Sequence, residues 1–282
     1  MMGHFLMILI TGSKGFIGRN LVKRFKPDEV ILLDKHNCFS ELIFLPWHDV
    51  THIYHLGAIS DTTCMDISKL FTYNVEFTSL LMNRAIDYNI PITYASSASV
   101  YGNSVVYEYN PLNLYALSKL NIDLWVESNL DQFNNIVGLR FYNVYGKDEE
   151  SKEDQSSAVY KFIQQAKNNG IIQIFEGSKK FYRDFIWVED VIDCMLTPMP
   201  SGIYDVGTGE QTSFFELAAD VAFKYQARME NISFPDHLKG KYQTYTIAQK
   251  HFPKKIFKTI NDYLNLLDSS ESQEEVHPNS LA

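Results

Sequence analysis

Tyr115 and Lys119 are spaced Tyr-x-x-x-Lys at the start of a predicted helix, so both side chains lie on one face, a single turn apart. A lysine ammonium beside a phenol favours the phenolate and draws its pKa down from about 10. Such a tyrosine is usable as an acid or base near neutral pH. The spacing is common by chance, and a plain helix surface is the competing reading. A second segment sharpens the picture: Tyr94-Ala95-Ser96-Ser97-Ala98-Ser99-Val100-Tyr101-Gly102 ends a buried strand in small hydroxylated residues. Doubly wound sheets bind ligands at the carboxyl edge of their strands. Ser97 is therefore placed to hydrogen-bond a substrate oxygen beside the tyrosine, whereas Ser96 and Ser99 read as turn formers.

Upstream, Gly12, Gly15 and Gly18 are spaced G-x-x-G-x-x-G in Thr11-Gly12-Ser13-Lys14-Gly15-Phe16-Ile17-Gly18, between a predicted strand and a predicted helix. Glycine allows a tight turn and close backbone approach to a diphosphate, and the helix N-terminus offers unpaired N–H groups and partial positive charge. A glycine loop alone is a weak signal; the strand before and helix after strengthen it. Asp34 ends the second strand, where an acid accepts hydrogen bonds from the ribose hydroxyls of NAD. Lys35 follows and could instead pair with the 2′-phosphate of NADP, so this pair leaves the cofactor open.

These residues need a scaffold, and the alternation of short apolar runs with helical patterns supplies one. Strands are predicted at 6–10, 30–34, 52–56, 92–95 and 136–141, and helices at 15–25, 67–88 and 115–129. That order means βαβ units and a parallel sheet. Between Asp34 and His52 there is too little chain for the extra strand and helix of a full dinucleotide-binding half. A short edge strand at 41–45 could not return to the far side of the sheet, so a trimmed sheet lacking at least one helix is expected. Further on, 148–155 reads as a charged loop, 159–169 as a helix ended by Gly170, 171–175 as a strand, and 214–225 and 257–267 as helices. The acidic stretch after Leu267 lacks an apolar period and is expected to fray.

Composition bounds the function class. With 282 residues, 45% of them hydrophobic, the chain can bury a large core. A net charge of −9 argues against nucleic-acid binding, which leaves a basic footprint, although a local phosphate pocket remains compatible. The three cysteines, Cys38, Cys64 and Cys194, form no CxxC pair or metal-like cluster and suit reduced thiols. No apolar run reaches the ~18 residues of a membrane span. The run Phe5–Ile10 leads straight into the glycine loop rather than to a cleavage site. A soluble, cytoplasmic protein with no metal is expected.

Taken together, the glycine loop, the Ser-Ser-Ala-Ser-Val-Tyr-Gly segment and Tyr-x-x-x-Lys resemble the extended short-chain dehydrogenase/reductase family. The resemblance covers nearly the whole chain. It implies a Rossmann-like doubly wound α/β fold, shortened in its first half, with a smaller C-terminal α/β substrate lobe. The implied division is 1–147 for NAD(P), completed by about 184–208, with 148–183 and 209–267 as the substrate lobe and 268–282 as a flexible tail. It also implies that Gly12, Gly15, Phe16, Ile17, Gly18, Asp34, Lys35, Leu56, Gly57, Ala58, Asn74 and Val144 contact NAD or NADP together with Tyr115 and Lys119. The resemblance slightly favours NADP. Asn74 is similar to the family's helix asparagine, which supports the active-site backbone. Arg140-Phe141-Tyr142-Asn143-Val144-Tyr145-Gly146 is similar to the stretch flanking nicotinamide and substrate, and Ser60 and Asn143 are implied to face the substrate.

Within that family the chain most resembles the ADP-glyceromanno-heptose 6-epimerases, through Phe175-Glu176-Gly177-Ser178, Phe181–Phe185, Ser201–Gly209 and above all Phe234–Gln243. The implied ligand is a nucleotide-diphosphate sugar. Arg183 would bind its diphosphate, a role suited to a planar, permanently charged fork; an ion pair with Asp184 is the alternative. Phe175, Glu176, Gly177, Ser178 and Tyr242 would line the nucleotide and sugar pocket, with core packing the rival reading for the aromatics. Lys152 would be a second acid/base, useful because redox epimerisation must deliver hydride to both faces of one carbon; in so charged a run, a solvated lysine is the alternative. Lys161, implied to face the substrate, and Asp154 depart from the histidine and serine usual there, which puts the sugar in doubt. A 4-epimerase or keto-sugar reductase stays open. A 4,6-dehydratase usually carries Asp-Glu after the active-site hydroxyl residue, whereas Ala98-Ser99 follow Ser97 here. A non-catalytic NAD(P)-binding protein would tend to lose the Tyr-x-x-x-Lys pair. Homo-oligomerisation is expected from the resemblance.

Overall fold

The computed structural model describes residues 6–104, 108–240, 242–249, 252–253 and 256–274, leaving aside the side chains of 151, 153, 154, 237 and 268–274. The first elements are β1 (Met7–Thr11), α1 (Phe16–Val22), β2 (Val30–Leu33), α2 (Cys38–Leu42), β3 (Val50–His55), α3 (Ile67–Leu70), α4 (Phe77–Asp87), β4 (Ile92–Ser97), α5 (Leu114–Glu127), β5 (Ile136–Phe141) and β6 (Asn143–Tyr145). There follow α6 (Ala158–Asn169), β7 (Ile171–Phe175), β8 (Tyr182–Arg183), β9 (Phe185–Trp187), α7 (Val188–Leu196), β10 (Gly202–Val206), β11 (Thr212–Ser213), α8 (Phe214–Tyr225), β12 (Arg228–Ile232), β13 (Tyr245–Thr246) and α9 (Ile260–Glu274).

Six parallel strands form the central sheet in the order β10-β5-β4-β3-β1-β2. The chain starts at β1 and reverses direction across the sheet between β2 and β3, which creates a crevice at the carboxyl ends of β1 and β3. Both faces are covered, as parallel sheets require. Ile10, Leu139 and Val206 pack with α1 and α7 on one side, and Leu9, Ile53, Ile92 and Ile136 pack with α4 and α5 on the other. Strand β5 is buried along its whole length, consistent with its continuous apolar reading.

The trimmed first half takes a specific form. Residues 34–49 leave β2 and return to β3 through the short α2 and a 3-10 turn, Trp47–Asp49. The segment 41–45 forms no strand, because Glu41 and Leu42 belong to α2. β2 is therefore the sheet edge, and the missing parts are one strand and a full-length crossover helix. Trp47 closes this abbreviated crossover: it is buried, stacks on Tyr88 at 5.8 Å, and its indole N–H donates to the Leu42 carbonyl.

Helix ends follow local chemistry. Asn113 caps α5 by accepting from the Ala116 N–H, and Ser157 caps α6 by accepting from the Tyr160 N–H. Gly170 ends α6 at φ 64°, a left-handed position that favours glycine. The helix expected over 67–88 is interrupted by a π turn at Phe71–Glu76, which carries Asn74. The charged run at 148–155 winds into a 3-10 turn at Glu150–Gln155. α9 continues past Leu267 into the acidic stretch expected as tail, and residues 275–282 lie outside the described residues.

Two small sheets, β11-β8-β13 and β12-β7, build the second lobe, while the β6-β9 pair lies between the two cores, with Val144 and Ile186 in the first and Tyr145 and Phe185 in the second. The core of the second lobe joins α6, α8 and α9 around Val159, Ile172, Leu217 and Leu264. Among the described residues, no helix is long and apolar enough to cross a membrane.

Trp47→Ala should lower stability by about 3–5 kcal/mol, since it removes a large buried side chain that seals the short crossover. Urea unfolding is the measurement; a midpoint within error of wild type would mean that this crossover does not depend on the indole.

Candidate active site

A cleft of about 1400 Å³ runs between the carboxyl edge of the central sheet and the second lobe. Its floor at one end is the glycine loop. Gly12 has φ 69°, and a Cβ there would meet the Gly57 backbone nitrogen at 2.6 Å. A Cβ on Gly18 would lie 2.1 Å from the Gly12 carbonyl oxygen. These glycines let the first turn of α1 fold against the loop and bring the Leu56-Gly57 turn alongside it. Gly15 caps α1 with no side-chain hydrogen bond, so the first-turn N–H groups keep their polarity for a ligand. A dinucleotide diphosphate fits this cradle. Asp34 also lines the cleft, its carboxylate accepting the backbone N–H groups of Lys14 and Lys35 at 3.0 and 2.8 Å. Phe16, Ile17, Lys35, Leu56, Gly57, Ala58 and Val144 line it too.

Below the turn, buried His55 bridges Thr11 and Thr78 through its two ring nitrogens, at 2.6 and 2.8 Å. Burial, with nearby Lys119 adding to it, pushes its pKa down to about 3, so His55 is a neutral strut. The Thr11 hydroxyl in turn accepts the Gly57 N–H. This chain fixes the β1 and β3 ends against each other.

Ser97, Tyr115 and Lys119 converge on the cleft. Ser97 is hydrogen-bonded to the Tyr115 hydroxyl. Lys119 donates to the Ala95 carbonyl at 2.8 Å, and burial lowers its pKa to about 8. The phenol departs from expectation. Burial raises the Tyr115 pKa, and the Ser97 hydrogen bond offsets this only in part. Desolvation disfavours the phenolate, and the lysine ammonium is engaged by a carbonyl rather than by the phenol. Burial thus favours the phenol of Tyr115 over the phenolate.

Asn74 does not line the cleft; it is buried behind it. Its amide grips both the N–H and the carbonyl of Ile59 at 2.7 and 3.0 Å and donates to Ser118 at 3.0 Å. Ser118 donates to the Tyr115 carbonyl. The π turn thus joins the loop bearing Ser60, itself at the cleft, to the start of α5.

From the second lobe come Lys152, Lys161, Phe175, Ser178, Arg183 and Tyr242, all lining the cleft, with Asn143 beside them. Asn143 uses its side-chain amide on the Asp184 carbonyl. Glu176 and Gly177 do not line the cleft; they form the turn after β7, with Gly177 at φ 87° against the Phe181 ring. The Asp154 side chain lies outside the described residues. Lys152 is mostly buried, 3.6 Å from the Glu149 carboxylate and 4.9 Å above the Phe16 ring. Burial lowers its pKa, and Glu149 opposes that shift.

Arg183 is the most telling group. It is buried, and it contacts the Phe214 and Tyr242 rings at 5.4 and 5.3 Å. Its N–H groups donate to the Tyr182 and Gln243 carbonyls. Burial lowers its pKa to about 10. Among the described residues no carboxylate pairs with it. Neighbouring Asp184 does not, because its oxygens accept from Thr208 N–H, Thr208 Oγ1, Gly209 N–H and Ala248 N–H. A buried guanidinium with no acid partner and an open side towards a cleft is a site for an anion.

Residues 8–207 match the NAD dependent epimerase/dehydratase family. The chain belongs to that family. A curated relative, the ADP-L-glycero-D-manno-heptose-6-epimerase of Brachyspira hyodysenteriae, is 36% identical over 86% of this chain and 89% of its own length. Among solved structures, the ADP-L-glycero-D-manno-heptose-6-epimerase of Helicobacter pylori superposes with a TM-score of 0.71 at 27% identity, covering 95% of this chain and 99% of that one. The UDP-glucose 4-epimerase of Thermotoga maritima superposes at 0.79, again over 95% and 99%, but at 18% identity it speaks only for the fold.

The residues that hold α5 in place escaped sequence reading. Asp123 continues the face of Tyr115 and Lys119 by one more turn and is completely buried. It accepts from Tyr94 and Ser96 of β4 at 3.0 and 2.8 Å and from Arg140 of β5 at 2.7 Å. Arg140 therefore points away from the cleft, unlike its neighbours Phe141 to Val144. The i, i+4, i+8 spacing was the available signal.

Asp123→Ala should destabilise the protein by about 3–5 kcal/mol in chemical unfolding, because it removes the buried carboxylate from Arg140 and leaves only the partly exposed Glu127 at 3.5 Å. Lys119 gives a pH signature. Its folded value of about 8 lies below its ordinary 10.5, so between these the unfolded chain binds more protons. The stability of wild type minus that of Lys119→Met should rise as pH climbs through this window; a flat difference would contradict the buried, depressed amine.

Proposed function

We propose that this protein is a nucleotide-sugar epimerase acting on an ADP-linked heptose, inverting one sugar carbon by transient oxidation and reduction with a retained nicotinamide dinucleotide. The observation that carries the reading is Arg183, a buried cation with no acid partner among the described residues, facing the cleft between Phe214 and Tyr242. A nucleotide diphosphate supplies the charge it lacks. The names of the relatives support the ADP-heptose assignment.

Bound nicotinamide would supply the hydride acceptor and donor; the chain's own residues handle the protons. Ser97 orients the Tyr115 hydroxyl, and Lys119 backs it from the Ala95 carbonyl. Lys152 approaches from the other lobe, so the two acid/base groups come from different walls of the cleft. Tyr115, in its minor phenolate form, takes the hydroxyl proton of the sugar carbon in the first half-reaction, and the Lys152 ammonium gives a proton to the carbonyl oxygen after the sugar turns its opposite face. No net redox change results. Phe175, Ser178 and Tyr242 provide the apolar and hydroxylated wall against which the sugar and nucleotide pack.

The test is incubation of the purified protein with ADP-D-glycero-D-manno-heptose, read by mass spectrometry and proton NMR. The expected product is a stereoisomer of equal mass, with no net consumption of cofactor; the mass of the nucleotide released on denaturation distinguishes NAD from NADP. Tyr115→Phe and Lys152→Met should each lower kcat by about 10²–10⁴-fold, and Arg183→Ala should act mainly on KM. Loss of water from the sugar, or turnover only of a UDP-linked sugar, would refute the assignment.

A further inference from the structure

Glu149 is a completely buried carboxylate that does not line the cleft. One of its oxygens accepts the Gly146 N–H at 2.9 Å and the Ser157 hydroxyl at 2.8 Å. The other accepts the Ser157 N–H at 2.7 Å and lies 3.6 Å from the Lys152 ammonium. Its carbonyl is used as well, receiving the Lys152 N–H at 2.9 Å and the Ser156 hydroxyl at 3.2 Å. One residue thus gathers both ends of the segment 146–157, closing the turn after β6 and meeting the cap of α6. Three donors meet the carboxylate oxygens. The fourth interaction is the lysine.

Lys152 is fixed between this carboxylate and the Phe16 ring, which belongs to the glycine loop. Its amine spans the junction between the second lobe and the dinucleotide cradle. A long lysine left to itself would swing into solvent; an anchored anion at its base and an aromatic face at its tip restrict it.

We propose that Glu149 is a positioning residue that holds the Lys152 amine at the cleft wall and keeps it charged, ready to exchange a proton with the sugar hydroxyl. This rests on the reading of Lys152 as the second acid/base. The transfer is a proton exchange only: the amine gives its proton to the sugar oxygen as the carbon–hydrogen bond re-forms, and in the reverse direction it takes that proton back. Glu149 itself exchanges none. The charged and titratable groups facing this pair are Lys161 of α6, which opposes the Lys152 charge, and Tyr160 and Tyr263, which face the Glu149 carboxylate. Asp148 is engaged by Lys23 at 2.5 Å.

The experiment compares Glu149→Gln, Glu149→Asp, Lys152→Met and the Glu149→Gln/Lys152→Met double variant. Steady-state kinetics on ADP-heptose are run across pH, with retained cofactor measured as the check on folding. Glu149→Gln should lower kcat about tenfold or more with KM changed less than about twofold, and should move the pH limb that Lys152→Met abolishes about one unit to lower pH. Glu149→Asp keeps the charge and should restore that limb to its wild-type position. The double variant should be no slower than Lys152→Met. A Glu149 effect that is fully additive in the Lys152→Met background, or an unmoved limb in Glu149→Gln, overturns the inference while leaving the acid/base reading intact. Full activity in Lys152→Met overturns that reading and the inference together. If Glu149→Gln fails to retain cofactor, Glu149→Asp decides: a pH limb shifted in that folded, charge-retaining variant would likewise overturn it.

Discussion

The ion pair between Arg140 and Asp123 is the constraint on which the site depends. Both side chains are almost entirely buried, 2.7 Å apart, and each is satisfied by further partners. Asp123 gathers Tyr94 and Ser96 from β4, while Arg140 donates to Tyr101 and Tyr109 and lies over both rings. Tyr101 passes the contact to Asp205 on β10. Helix α5 is thereby pinned to three neighbouring strands of the sheet. Buried ion pairs rarely add net stability over apolar packing, but they are intolerant of partial occupancy and of sliding. With Asp123 fixed, Lys119 and Tyr115 one and two turns earlier have little freedom in depth or rotation. Gly138 takes part silently: a Cβ there would meet the Tyr94 hydroxyl at 2.5 Å, so glycine on β5 makes room for the ring that reaches Asp123.

A second buried carboxylate does the corresponding work in the other lobe. Asp184 has its oxygens filled by the 208–209 turn and by Ala248, which removes it as a partner for the arginine beside it in sequence. Arg183 is left to carbonyls and aromatic faces, with its charge available to a ligand. The strip carrying Tyr242 and Gln243 then ties Arg183 to the segment after β4. Gln243 accepts from Arg183 and donates to the Gly102 carbonyl, while Asn103 accepts the N–H groups of Thr244 and Tyr245. Movement of either lobe is therefore felt at the segment following Ser97.

Much of the scaffold was readable because its signals are local. The glycine spacing, the apolar runs of β1 and β5, the Gly170 end of α6 and the brevity of the link after Asp34 are statements about a few consecutive residues. Boundaries were less legible where packing intervened. The helix over 67–88 reads as uniform, yet a π turn is needed at 71–76 to bring Asn74 onto the Ile59 backbone. The segment 41–45 has strand-like composition, but no neighbouring strand can be reached from there, and its start joins α2.

The sequence by itself determined the parallel α/β sheet, the trimmed first half, the glycine turn ahead of α1 and the shared helix face of Tyr115 and Lys119, because each follows from periodicity, glycine conformational freedom or helical spacing. Only the tertiary structure decided how those groups are charged and who their partners are. Lys119 turns to a carbonyl, burial favours the Tyr115 phenol over the phenolate, Arg183 is denied Asp184, and Glu149 is set beneath Lys152. These outcomes depend on desolvation and on donors brought from distant parts of the chain. Both are properties of the packed interior, which a linear spacing of residue types does not encode.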